Sequence, residues 1–184
     1  MTSTTEARGE EGQLVYALKD RLYLNITNGC SLKCRFCLKH RDSGPRLGGY
    51  DLGLSRQPKA ADICRAIPDD LSDYQEVVFC GYGEPTLRLP TVLEVAEKLR
   101  KRYQRPVRLN TDGLCNRVFR RDMTPQIAAQ FDAVSVSLNA ADRETYNYYC
   151  RPPWPDAFDS VLEFIEKAAG RLPQRFCGTA GACG

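Results

Sequence analysis

Long apolar stretches are missing from this 184-residue chain, so it holds no segment able to cross a bilayer as a helix. Net charge is scarce as well: a formal +3 does not by itself argue for nucleic acid or an anionic membrane as a partner. The first residues, Met1 to Gln13, are polar and acidic and lack the apolar centre of a secretory signal, so 1–13 read as a disordered leader. Histidine occurs once, at His40, so a metal site here can draw on one imidazole at most. Cysteine, by contrast, is plentiful. Nine cysteines in a chain without a secretory signal argue for a reducing compartment and for thiols kept for metal; the expected location is the cytoplasm. The length suits one domain, and 42% hydrophobic residues are enough for a sizeable core.

Three of the cysteines lie close together. Asn28-Gly29-Cys30-Ser31-Leu32-Lys33-Cys34-Arg35-Phe36-Cys37 follows the apolar run Leu22 to Ile26 and spaces them as CxxxCxxC. Thiolates are soft ligands suited to iron–sulfur clusters or zinc, and both sites usually take four protein ligands. A set of three needs a completion. His40, three residues after Cys37, would close a Cys3His zinc module. A four-iron four-sulfur cluster could instead keep one iron open for a small molecule, and a closed cluster would serve electron transfer.

Along the chain, Leu14 to Leu18 and Leu22 to Ile26 are β-prone runs suited to a hairpin. Arg41 to Pro58 carries four glycines and two prolines, the composition of an ordered loop or flap. Ala60, Ile63, Cys64 and Ile67 fall at helical spacing before Pro68. Glu76 to Cys80 is a strand followed by Gly81-Tyr82-Gly83-Glu84-Pro85. A helix opens at Pro90, with Val92, Ala96, Leu99 and Tyr103 as its stripe. Its basic end, Arg100 to Arg108, suits a helix C-terminus as it stands, so it does not argue for nucleic acid. Val107 to Leu109 is a third strand ending in Asn110-Thr111-Asp112-Gly113. Thr124-Pro125 opens a short helix, Ala133 to Leu138 is a fourth strand ending at Asn139, and a long helix covers Asp156 to Ala169.

Strands alternating with helices predict βαβ units and a parallel sheet. Each polar motif follows a strand end, and in parallel α/β sheets or barrels those ends open on one face, where ligands bind. Four motifs are therefore expected at one site.

The cysteine spacing, the aromatic residue before its last cysteine, and the strand-end motifs together resemble the radical S-adenosylmethionine (SAM) superfamily. The resemblance covers Arg21 to about Leu172. Three strings, Arg21 to Asn25, Val78 to Leu87 and Val134 to Ala140, resemble its small TatD-associated members. It implies an α/β fold, a partial (incomplete) parallel β/α barrel, here shortened at the C-terminus. It implies a 4Fe-4S cluster on Cys30, Cys34 and Cys37, with SAM on the open iron and reductive cleavage to a 5'-deoxyadenosyl radical for hydrogen abstraction. Phe36 would flank the adenine, and Gly81, Gly83 and Glu84 would receive the SAM amino group. Asn110 would face SAM or substrate, Ser137 and Asn139 the ribose, and Arg151 the SAM carboxylate. Other compact relatives act as glycyl-radical activases or deazaguanine-type synthases. The implied partners are a small-molecule or protein substrate, an electron donor and, by analogy, a TatD-family hydrolase; no membrane is implied.

The expected boundaries are a core over 14–172 and a flexible tail over 173–184, which has little β-branched content and offers at most one short strand. The fourth strand is then expected to present an open edge and promote self-association. Cys177 and Cys183 would be mobile thiols. Cys64, Cys80 and Cys115 read as small buried or loop thiols, and Cys150 stays unassigned.

Overall fold

The computed structural model describes residues 12–40 and 44–172, and the backbone of 174–178. In chain order its elements are β1 (Val15–Leu18), β2 (Arg21–Leu24), β3 (Arg46–Leu47), β4 (Tyr50–Asp51), α1 (Ala60–Ala66), β5 (Glu76–Phe79), α2 (Leu89–Arg102), β6 (Val107–Thr111), α3 (Cys115–Phe119), α4 (Thr124–Ala128), β7 (Ala133–Ser137), α5 (Arg143–Cys150), α6 (Ala157–Ala169) and β8 (Gln174–Gly178). The main sheet runs β1-β2-β5-β6-β7-β8. β1 pairs antiparallel with β2, and every later pair is parallel. Parallel neighbours need a crossover, and α1, α2, α4 and α6 lie on those crossovers. This is the expected partial β/α barrel, with a hairpin strand added at one edge.

Registration sorts the strand residues onto two unlike faces. Leu24, Phe79, Leu109 and Val134 form one row across four strands, and Leu22, Val77 and Val107 form another. All are buried, together with Val92, Val95, Ala96 and Leu99 of α2 and Val161 and Phe164 of α6. Each large side chain sealed here contributes roughly 1.5–3 kcal/mol. Phe79 meets Phe131 edge-on, with ring centroids 5.2 Å apart. The alternate face is mixed: Tyr23, Val78, Arg108 and Ala133 form one row, with polar groups to either side of it. Glu76 Oε1 accepts from Arg21 Nε at 2.6 Å and from an Arg108 guanidinium nitrogen at 2.8 Å. Further along that face Asn110 pairs with Ser135, and Ser137 follows. The helices therefore cover one face, while the other carries the polar residues Glu76, Arg108, Asn110, Ser135 and Ser137 among apolar ones.

The flap between Arg41 and Pro58 contains the hairpin β3–β4, turned by Gly48 and Gly49 at φ 57° and 88°. Two helices escape the periodicity reading. α3 is only five residues long, and α5 carries two core anchors, Tyr146 and Cys150, one turn apart. Asp142 caps α5 by accepting from Thr145 N at 2.9 Å. Gln174–Gly178 forms β8 alongside β7, the one short strand the tail's composition allows, so the expected open edge on β7 needs correction. Backbone pairing decides this, since β7 supplies a complete row of partners that the side-chain composition of 174–178 does not reveal. Cys183 and residues 1–11 lie outside the described residues. No helix among the described residues is long and apolar enough to cross a membrane.

Candidate functional site

The cysteine loop leaves β2 and is tied at once to its neighbours. Asn25 is fully buried and makes three contacts: its Nδ2 donates to Leu52 O at 2.8 Å and Gln13 O at 3.0 Å, and its Oδ1 accepts from Tyr82 N at 3.2 Å. Asn28 clamps the flap in both directions, donating to Leu54 O at 2.6 Å and accepting from Leu54 N at 3.0 Å. Glu84 N donates to Gly29 O at 2.7 Å. The two motif glycines are needed for this packing. A Cβ on Gly83 would stand 2.2 Å from Gly29 O and 2.4 Å from Thr27 O, and one on Gly81 would stand 2.3 Å from Asn25 Oδ1. Their close approach is thus to the backbone and Asn25 of the first motif.

Glu84 is buried and heavily bonded. Its Oε1 accepts from Thr86 Oγ1 at 2.6 Å, Thr111 Oγ1 at 2.8 Å and Thr86 N at 2.9 Å, while Oε2 accepts from Asp112 N at 2.7 Å. Asp112, also buried, accepts from Leu114 N at 2.9 Å and from the Ser31 hydroxyl, inside the cysteine loop, at 3.0 Å. Burial, and then the neighbouring Asp112 charge, push Glu84 up to about 8, and burial raises Asp112 too. The two carboxyls titrate as a pair. The ends of β5 and β6 and the cysteine loop are thereby joined by hydrogen bonds between the motifs themselves.

α5 carries a fourth thiol to the loop. Lys33 N donates to Cys150 O at 3.1 Å and Arg35 N donates to Tyr149 O at 2.8 Å, so the residues flanking Cys34 are fastened to the last turn of α5. The Cys34 and Cys150 thiols are neighbours, and Asn139 Nδ2 approaches Cys150 Sγ at 3.8 Å. The adjacent Cys150 thiol, followed by burial, pushes the Cys34 thiol up; the same proximity holds Cys150 below the ordinary thiol range. Burial, helped by Asp112, raises Cys30 to about 12. As free thiols Cys30 and Cys34 stay protonated, so binding a metal centre there releases protons. Tyr146 is fully buried in this neighbourhood, and its hydroxyl has no hydrogen-bond partner.

Among the described residues no three His, Cys, Asp or Glu side chains are set closely enough to hold a single metal ion. A cluster places each thiolate on a different iron and so needs a wider spacing than a single ion. His40, the ligand a zinc module needs, is exposed at the end of the short turn Leu38–His40 and belongs to no such group. The donor set of Cys30, Cys34 and Cys37, on a loop with its backbone bolted down on two sides, fits a cluster.

The remaining expected residues spread around the same end of the sheet. Phe36 is 41% exposed beside Cys37. Asn110 Oδ1 is buried without a partner, an acceptor left for a ligand to meet. Ser137 is exposed at the end of β7; Asn139, at φ 63°, turns back toward Cys150. Arg151, at φ 48°, is exposed at the end of α5, and among the described residues its guanidinium enters no ion pair. Cys115 is buried, while Cys64 and Cys80 are partly buried. Sequence reasoning overlooked Asn25, Asp112 and Tyr146 and left Cys150 open. Asp112 was nearest to detection, since it sits inside the strand-end motif Asn110 to Gly113.

Known proteins point the same way as this arrangement. Over residues 24–180 the chain matches the family model of the Radical SAM superfamily. It is 26% identical to the GTP 3',8-cyclase of Paenarthrobacter nicotinovorans over 147 residues, covering 79% of this chain and 38% of that protein. It is 33% identical over 95 residues to a probable RNA methyltransferase of Azoarcus sp. (strain BH72), covering 50% and 24%. A probable dual-specificity RNA methyltransferase RlmN of Treponema denticola is 27% identical over 123 residues, covering 62% and 31%. The chain thus spans well under half the length of each of these relatives. Its fold is like that of TYW1 solved with a lysine-pyruvate adduct bound, with TM-score 0.57, 13% identity, and coverage of 86% of this chain and 55% of that one. With the family model matching most of its length, this chain belongs to the radical SAM superfamily, and the named relatives are enzymes.

Proposed function

We propose that this chain is a radical SAM enzyme that holds a 4Fe-4S cluster on Cys30, Cys34 and Cys37 and binds SAM at the iron those thiolates leave open. When bound, the pair supplies reductive cleavage of SAM to a 5'-deoxyadenosyl radical that abstracts a hydrogen from the substrate. The observation that carries the reading is the hydrogen-bonded convergence of strand ends: Gly29 to Glu84, Glu84 to Asp112, and Asp112 to Ser31.

The chain's own groups divide the work of holding the cofactor. Arg151, with its planar fork of donors, suits the SAM carboxylate. Asn110 offers its unpartnered Oδ1 as an acceptor, and Ser137 and Asn139 are the ribose contacts. Phe36 gives the adenine an aromatic face. Glu84 Oε1 already accepts three bonds, whereas Oε2 accepts one, so one position remains, and the SAM ammonium takes it with Glu84 ionised, its charge drawing off the proton the free chain holds. An external reductant must supply the electron, so an electron-donor partner belongs to the proposal.

The test is anaerobic reconstitution. Roughly four irons per chain should bind, and the reduced cluster should give an electron-spin signal that changes when SAM is added. Zinc without iron, or a signal indifferent to SAM, overturns the reading. Replacing Cys30, Cys34 or Cys37 with Ala should each abolish iron retention.

A further inference from the structure

Cys150 is fully buried, 113 residues beyond Cys37 in the chain, yet it faces a residue of the cysteine loop. Its position is not accidental to one side chain. The two backbone bonds from Lys33 and Arg35 to the end of α5 bracket Cys34 and fix the loop against that helix end. Those bonds set the Cys150 thiol beside that of Cys34, and the Asn139 amide, from the loop after β7, lies 3.8 Å from the Cys150 sulfur. Three elements therefore build a line of polar groups, Asn139 Nδ2, Cys150 Sγ and Cys34 Sγ. On the same helix the Tyr146 hydroxyl and Asn147 Oδ1 are buried without a partner.

We infer that Cys150 is a positioning residue for the cluster: its thiol donates a hydrogen bond to the Cys34 sulfur and raises the reduction potential of the bound centre. The inference rests on the cluster reading above. As a free thiol Cys34 can donate to Cys150. As an iron-bound thiolate it has no proton left, so the S–H of Cys150 must point toward it, and the amide N–H of Asn139 orients Cys150 from behind. A hydrogen bond to a ligand sulfur favours the more negative, reduced state, because added electron density on sulfur strengthens the contact. Cys150 would thereby bond to a ligand without being one, leaving the cluster three protein ligands and one iron open for SAM.

Anaerobically reconstituted parent, Cys150→Ala and Cys150→Ser should be compared for iron content and by redox titration followed with electron-spin spectroscopy. All three should hold the same iron. The Ala variant should shift to a more negative midpoint potential, and Ser, which keeps an O–H donor, should return it toward the parent value. Equal potentials in parent and Ala variant overturn the inference. Loss of iron or of fold in both variants also overturns it, since Cys150 would then be a fourth ligand or a packing residue. A parent that takes up no iron defeats the cluster reading instead, so the two failures are told apart.

Discussion

The backbone N–H of Asp112 donates to Glu84 Oε2 at 2.7 Å, joining the end of β6 to the motif that follows β5 inside a buried pocket of carboxyls. Both carboxyls lie where water cannot solvate two charges, and the pair keeps a proton that an exposed pair would release.

Stability should therefore fall as pH rises toward neutrality. The unfolded chain gives up the Glu84 proton near its ordinary value of 4.5, whereas the fold keeps it until about 8. Between those limits the native state binds more protons than the unfolded one, so rising pH favours unfolding, by at most about 1.4 kcal/mol per pH unit. Above about 8 the dependence should level off. Denaturant midpoints measured from pH 5 to 9 should show this decline, and Glu84→Gln should flatten it. A parent that gains stability over that interval would contradict the shared proton.

Gly83→Ala should be costly although Gly83 lacks a positive φ. Its new methyl would collide with two backbone carbonyls, Gly29 O and Thr27 O, neither of which can rotate away. Overpacking of this kind costs about 1–3 kcal/mol. Because the displaced segment leads into Cys30, iron retention should fall along with the thermal midpoint. An unaltered midpoint would show that the loops part freely.

Asn25→Ala should destabilise the chain by about 1–3 kcal/mol, the cost of a buried group left without its partner. The buried Leu52 carbonyl is stranded here, and the half-buried Tyr82 amide and the carbonyl of exposed Gln13 lose their partner. Proteolysis should then cut first in the flap around β3 and β4, which Asn25 and Asn28 hold down. Cleavage elsewhere, with the flap intact, would argue against this anchoring.

Amide hydrogen exchange should be slow in β7. Its residues pair with β6 on one side and β8 on the other, as an interior strand's do. Rapid exchange of Val134 to Ser137 would mean that β8 does not stay paired in solution.

What the sequence determined by itself is what local pattern can carry. The CxxxCxxC spacing, the apolar strands, and the polar motif after each strand are properties of short segments, and alternation with helices was enough to bring those strand ends to one face. Glu84 could be picked out as a site residue from Gly81-Tyr82-Gly83-Glu84. Tertiary structure alone decided where its carboxylate points: toward Thr86, Thr111 and the Asp112 amide, because β5 and β6 are neighbours in register and helix packing closes water out above them. Cys150 marks the same limit more sharply. Nothing in the residues around it indicates a partner, since α5 offers only two buried anchors to periodicity. Its meeting with Cys34 depends on how the end of that helix docks against a loop more than a hundred residues earlier. Spacing along a chain reports on neighbours within a turn or a strand; side chains brought together by packing of distant elements leave no such trace.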